Sequence, residues 1–291
     1  LDRVAWPTRA ERLEPANGVI FSANVYHGAP PELSGRARRL RILNIDPKTY
    51  TYWYQRPYLS TGPVISAVQS EGVKRILGTV PIEADGSVAF RAPAGTALHF
   101  QLLDEKGRAL QTMPSFVKAM PAERRGWLGS HESHSRTPDF KQGALALART
   151  PQSITPPPWG DETVSFPRFV QPVLDRHCAA CHQGEGEARK VVDFTDRPGF
   201  LIFSAPYLLL TGNPSWGQPY RKPENPPPGF GYADMLMIEG YDPRDPRAYR
   251  TPPPMTALSY RSRLIQLPSS GEHHGVQVTG EDLERLIAWV D

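Results

Sequence analysis

Cysteine is nearly absent from this chain: Cys178 and Cys181 are the only two in 291 residues. That scarcity excludes a disulfide-stapled scaffold, and without a second Cys pair a four-thiolate zinc site is excluded as well. No run of about 18 apolar residues occurs, so no membrane-spanning helix is expected. The longest apolar stretch, Phe200 to Leu210, is interrupted by Ser204 and Pro206. An excess of one charge is also missing. The 33 Lys and Arg stand against 30 Asp and Glu, for a net charge of +3 spread along the chain. This excludes the basic stripe that nucleic-acid binding needs, and the cluster Arg36, Arg38 and Arg39 reads as solvated surface. The start, Leu1-Asp2-Arg3-Val4, carries no signal-peptide pattern, which predicts a mature form or an excised piece of a longer protein.

Proline, by contrast, is abundant, at 32 residues. It concentrates in Thr155 to Trp159, Lys222 to Gly229 and Asp242 to Met255, stretches that cannot be long helices or central strands. They also carry Trp159, Trp216, Phe230, Tyr232 and Tyr241. Aromatics in Pro-rich loops predict ordered segments that wrap a buried object.

The two cysteines sit in Cys178-Ala179-Ala180-Cys181-His182. Cys-x-x-Cys-His is the attachment signature of c-type haem. Each thiol adds across one haem vinyl group, the two-residue spacer lets one helical turn present both sulfurs, and the adjacent His donates a nitrogen to iron. Other chemistries fit less well. A redox dithiol wants a βαβ setting, structural zinc wants four ligands, and a disulfide across so short a loop constrains the unfolded chain little. The expectation is one covalent haem c held by Cys178 and Cys181, with His182 as proximal ligand. The sixth ligand must come from elsewhere in the chain. The candidates are His273, His274, Met255, Met235 and Met237, with Met255 closing a Pro-rich loop. His27 and His99 sit in strand-like contexts and read as structural, and His177 as a packing or surface residue.

The first half reads as β. Arg39 to Ile45 and Ser87 to Arg91 alternate polar and apolar residues, Ala97 to Leu103 is a further strand, and Asp104-Glu105-Lys106-Gly107 turns it into Leu110 to Met113. Thr49 to Tyr54 is rich in β-formers. Strands joined by short turns predict an antiparallel sandwich or barrel-like domain over residues 1–150. A Pro-rich linker is expected over 151–163 and a mostly helical, cytochrome c-like domain over 164–291, for an α+β whole. Ser165 to His177 is expected to be a helix delivering Cys178, with Pro172 in its first turn or at a kink. At the end of the chain Thr279 is placed to cap a helix whose first turn holds Glu281 and Asp282. Leu283, Leu286, Ile287 and Val290 form its apolar stripe.

The segments Gly78 to Phe90, Pro93 to Asp104 and Ala109 to Met113 resemble the middle domain of the hydrazine synthase alpha subunit and its c-type cytochrome relatives. The similarity continues through Ser165 to Asp175, the haem motif, Ser259 to Leu264 and Leu286 to Asp291, so that it covers the chain from about Asn17 onward. The resemblance implies two haem sites, one closing the β domain and one in the C-terminal domain. At the first, Gly126-Trp127-Leu128-Gly129-Ser130-His131-Glu132 has Trp127 and Ser130 where the family has cysteines. That departure removes the site of the family's catalytic haem and argues against hydrazine synthesis by this chain alone. His131, Glu132 and His134 could share a metal ion if helical; the plainer reading is exposed imidazoles left behind by the lost site. The resemblance also implies bis-His ligation at the second haem and puts His273, in Gly271-Glu272-His273-His274-Gly275-Val276, in the distal role. A propeller domain often lies upstream in this family, so a larger complex or a missing upstream domain is expected.

Together these readings predict a periplasmic or secreted cytochrome that transfers single electrons to or from a redox partner protein. The alternatives are a haem enzyme subunit, hydrazine synthase-like or peroxidase-like, with an open or displaceable sixth position, and a structural or docking role for the β domain.

Overall fold

Leu40 and Ile42 of strand β2 (Arg39–Asp46) lie directly across from Leu102 and Phe100 of β5 (Leu98–Leu103) in an antiparallel pair. All four are buried, so the apolar positions read from the sequence meet on one face, as the period of two requires. This is a computed structural model, and it describes residues 17–46, 73–113, 116–127, 143–200, 202–213, 222–235 and 252–291. With β3 (Val73–Pro81) and β6 (Ala109–Thr112) the pair makes a four-stranded sheet of order β3-β2-β5-β6. A second sheet has β1 (Asn17–Ser22) between β4 (Val88–Pro93) and β7 (Arg124–Gly126). There Ile20 faces Phe90 across an antiparallel pair, while β7 runs parallel to β1, an addition that strand alternation does not reveal. Phe90 and Phe100 meet edge to face at 5.8 Å and join the two sheets' cores, as aromatic pairs prefer. Two sheets followed by a helical part give the α+β class. The expected strand Thr49 to Tyr54 lies outside the described residues.

Part of the Pro-rich segment is laid onto these sheets. Thr155 exchanges backbone hydrogen bonds of 2.9 Å with Thr79, and Gln152 bridges to the strand at Phe90. His99 lies on β5, whereas His27 sits in the turn after β1.

The chain divides into two compact units near Asp161, with the ends of β2 and β3 and Gly107–Ala109 grouped with the second. The second unit is helical. The segment expected as one helix into Cys178 is two, α1 (Phe166–Phe169) and α2 (Gln171–His177). Pro172 explains the division, because it has no N–H to give to the carbonyl four residues back. A single turn, α3 (Ala179–His182), then carries the rest of the motif. Helices α4 (Ala205–Thr211), α5 (Arg263–Ser270) and α6 (Gly280–Val290) complete the unit. Thr279 stands at the N-cap of α6, but its side chain makes no capping bond. On α6, Leu286 to Val290 are all buried, whereas Leu283 is only half-buried. The apolar stripe therefore becomes a fully enclosed last turn. Its centre is aromatic: Trp289 and Phe166 meet at 5.4 Å, and Phe166 and Tyr207 at 5.4 Å, both edge to face. No helix among the described residues is long and apolar enough to cross a membrane.

Candidate functional site

The backbone from Cys178 to His182 is one tight turn. The N–H groups of Cys181 and His182 both point at the Cys178 carbonyl, at 3.2 and 2.9 Å. A single turn of helix sets residues three and four apart on one side, which brings Cys178, Cys181 and His182 to the same wall. Close packing holds the turn: a Cβ on Gly186 would come within 2.3 Å of the Cys181 carbonyl oxygen. Both cysteines are unpaired thiols. Burial first, then the neighbouring Cys181, pushes the Cys178 thiol up to about 11. That is the reverse of the depressed value a reactive dithiol needs.

His182 is fixed from behind. Its Nδ1 lies 2.9 Å from the Val192 carbonyl oxygen. A carbonyl only accepts, so Nδ1 carries a proton, and in the neutral ring Nε2 is left with the lone pair. The Phe194 N–H donates to the His182 carbonyl at 3.0 Å, and the Phe194 ring lies 5.1 Å from the imidazole. Gln171 and Gln183 each donate from their side-chain amides to Asp175 and to the Phe194 carbonyl. The segment behind the histidine is thereby tied to α2. A ring nitrogen bonded to a backbone carbonyl is the usual support of a metal-ligating histidine.

This wall faces a cavity of about 590 Å³, within the ~300–1,000 Å³ of cofactor-sized pockets. Val173, Leu174, Val192, Leu264, Leu267 and Leu286 supply its apolar lining, and Pro228 and Tyr232 close it from the Pro-rich loop. His273 and His274 both line it. The His273 ring lies 6.0 Å from the His182 ring, centre to centre, with the planes 17° apart. His274 is turned edge-on to His273 at 5.1 Å. Burial, then the adjacent imidazoles of His274 and His182, hold His273 below the ordinary histidine value, which favours the neutral ring that ligates metals.

The structure brings Cys178, Cys181, His182, His273 and His274 to one cavity and leaves others away from it. Met235 and Met255 do not line it, and Met237 lies outside the described residues. His177 reaches its edge, but its Nε2 is 2.8 Å from Asp282. His131, Glu132 and His134 lie outside the described residues. Trp127, in the first unit, is buried, with its ring 4.8 Å from Phe100 and its backbone N–H on the Phe21 carbonyl. The indole therefore occupies strand-core space where the resemblance has a cysteine. Among the described residues no group of three or more His, Cys, Asp or Glu is gathered to hold a bare metal ion. The Val192 carbonyl, the Gln171–Asp175–Gln183 tie and Gly186 escaped the sequence reading, since none carries a local signature.

Residues 35–132 match the family model described as the hydrazine synthase alpha subunit middle domain. This relates the β half of the chain to that subunit. Among solved structures, Kuenenia stuttgartiensis hydrazine synthase matches with a TM-score of 0.56 at 16% identity, over 95% of this chain and 42% of that one. At that identity the likeness is one of fold, and it runs through the helical unit as well as the sheets. The chain spans less than half the length of the hydrazine synthase chain it matches. No curated protein matches it.

Proposed function

We propose that the protein is a c-type cytochrome with one covalent haem, held by Cys178 and Cys181 and ligated by His182 and His273, which transfers single electrons. The observation that carries this reading is the pair of facing imidazoles. Metal–imidazole bonds are about 2 Å long, so two of them, plus the distance from each ring centre to its outer nitrogen, separate the ring centres by roughly 6 Å. The ring centres of His182 and His273, both lining the apolar cavity, are 6.0 Å apart. The donor set fits as well. Thioethers bring no charge into a wall that already disfavours the Cys178 thiolate, and a macrocycle supplies the in-plane ligands that the protein does not.

Haem iron held by two protein ligands supplies one-electron redox chemistry and offers no open position for a substrate. The chain's own residues do the rest. The Val192 carbonyl orients His182, the Phe194 N–H holds its backbone, and the apolar walls keep water away. An enzymatic role with an open sixth position would need His273 to stand away from His182, and the replacement of the first haem motif by Trp127 and Ser130 removes the other place for chemistry. Covalent haem of this kind is matured outside the cytoplasm, so the proposal includes a periplasmic or secreted location and a partner redox protein. The relation to hydrazine synthase makes assembly into a larger complex part of the same proposal. Absorption and electron paramagnetic resonance spectra of the oxidised protein test the ligation. A six-coordinate low-spin ferric signal without a thioether-to-iron band is expected; a five-coordinate high-spin signal, or a thioether band, would overturn it.

A further inference from the structure

We infer that Arg263 and Tyr232 form the clamp for the propionate carboxylates of the haem, an inference that rests on the reading above. Among the described residues Arg263 is the only Lys or Arg in the cavity wall, and Glu187 the only carboxylate. Among the described residues Arg263 has no carboxylate partner. Its guanidinium stands 5.1 Å over the Tyr232 ring, and its Nη1 donates to the Tyr232 hydroxyl at 3.1 Å. Tyr232 is held in turn, because its carbonyl accepts from the Ser262 hydroxyl and the Leu264 N–H, each at 2.9 Å. The Tyr232 oxygen already accepts from Arg263, so its own proton remains to be given.

Two donors on one rim, with most of the guanidinium fork unspent, make a carboxylate site. Haem c carries its two propionates on the porphyrin edge away from the vinyl groups that bind cysteine. The cysteines belong to the α2–α3 turn, whereas Arg263 comes from α5 and Tyr232 from the loop before it. A guanidinium beside the propionates favours the ferrous form, since reduction adds a negative charge.

The test is resonance Raman spectroscopy of the propionate bending band together with the midpoint potential, on the full chain matured in a periplasm. Arg263→Leu should move the band and shift the reduction equilibrium about tenfold toward the ferric form, which is 59 mV for one electron. Arg263→Lys should keep most of the potential and still move the band, because an ammonium lacks the planar fork. Tyr232→Phe should move the band alone. Arg261→Leu removes an equal charge outside the cavity wall and should leave the band in place. Haem present with the wild-type band and potential in both Arg263 variants would overturn the clamp and leave the haem reading standing. A wild-type protein whose denatured mass carries no haem would overturn both.

Discussion

Val192 acts on the site twice: its carbonyl fixes the tautomer of His182, and its side chain lines the cavity. The His273 ring lies 6.0 Å from that of His182 and nearly parallel to it, whereas His274, which also lines the cavity, stands edge-on to His273. His273→Ala should therefore convert the oxidised protein from low spin to high spin and raise its potential, because an imidazole ligand is lost. His274→Ala should change neither by more than a small fraction; optical spectra and potentiometry check both. A second residue-level test concerns Asp282, which accepts hydrogen bonds from His177 at 2.8 Å and from Arg176. Burial alone would raise its carboxyl, but the bonds from His177 and Arg176 and the Arg176 charge bring it below its ordinary value of 3.8. A depressed carboxyl contributes stability that is complete above the unfolded value and lost as pH falls through the folded one. Asp282→Asn should cost about 1 kcal/mol at pH 7, a figure discounted for the exposed Arg176. The cost should vanish as pH drops below 3.8, as followed by denaturant unfolding at several pH values.

The turn α3 is the smallest element here and the one on which the site depends. It is four residues long, too short to be stable alone, and it holds because α2 feeds it and the segment after it closes over its carbonyls. Gly186 permits that closure, since an added Cβ would meet the Cys181 and Ala180 carbonyl oxygens at 2.3 and 2.9 Å. These are backbone atoms that cannot rotate away. Gly186→Ala should destabilise the protein by about 1–3 kcal/mol, the range for overpacking. It should also lower the yield of haem-loaded protein; thermal unfolding and the haem-to-protein ratio report the two effects. The amino-acid sequence made the motif legible, because Cys178, Cys181 and His182 are adjacent in the chain. It did not make Gly186 legible, because the clash is a contact between carbonyls and a backbone five residues on. Pro172 was legible as a disruption of the helix into Cys178, and the missing N–H divides that helix as its chemistry requires. Thr279 was legible as a cap by position, yet its hydroxyl makes no capping bond.

At the scale of the whole molecule, the change from strands to helices follows a change of hydrophobic period along the chain; β2, β4, β5 and β6 fall where alternation, β-formers and turn residues predict them, whereas β1, β3 and β7 are not predicted. What alternation does not carry is long-range pairing: the parallel β7 on β1, and the bridges from Gln152 and Thr155 onto the sheets, depend on residues dozens of positions apart. The same limit applies to the site, where a choice between His273 and Met255 turns on which loop reaches the cavity. Trp127 belongs to this scale too. It packs into the strand core of the first unit against Phe100, so the β half is held by side chains where the related family is expected to hold a cofactor. We propose a single haem, in the helical unit. Intact mass under denaturing conditions, on protein matured in a periplasm, tests that assignment most directly. The polypeptide mass plus one haem is predicted; the bare polypeptide mass, or the mass with two haems, would contradict it.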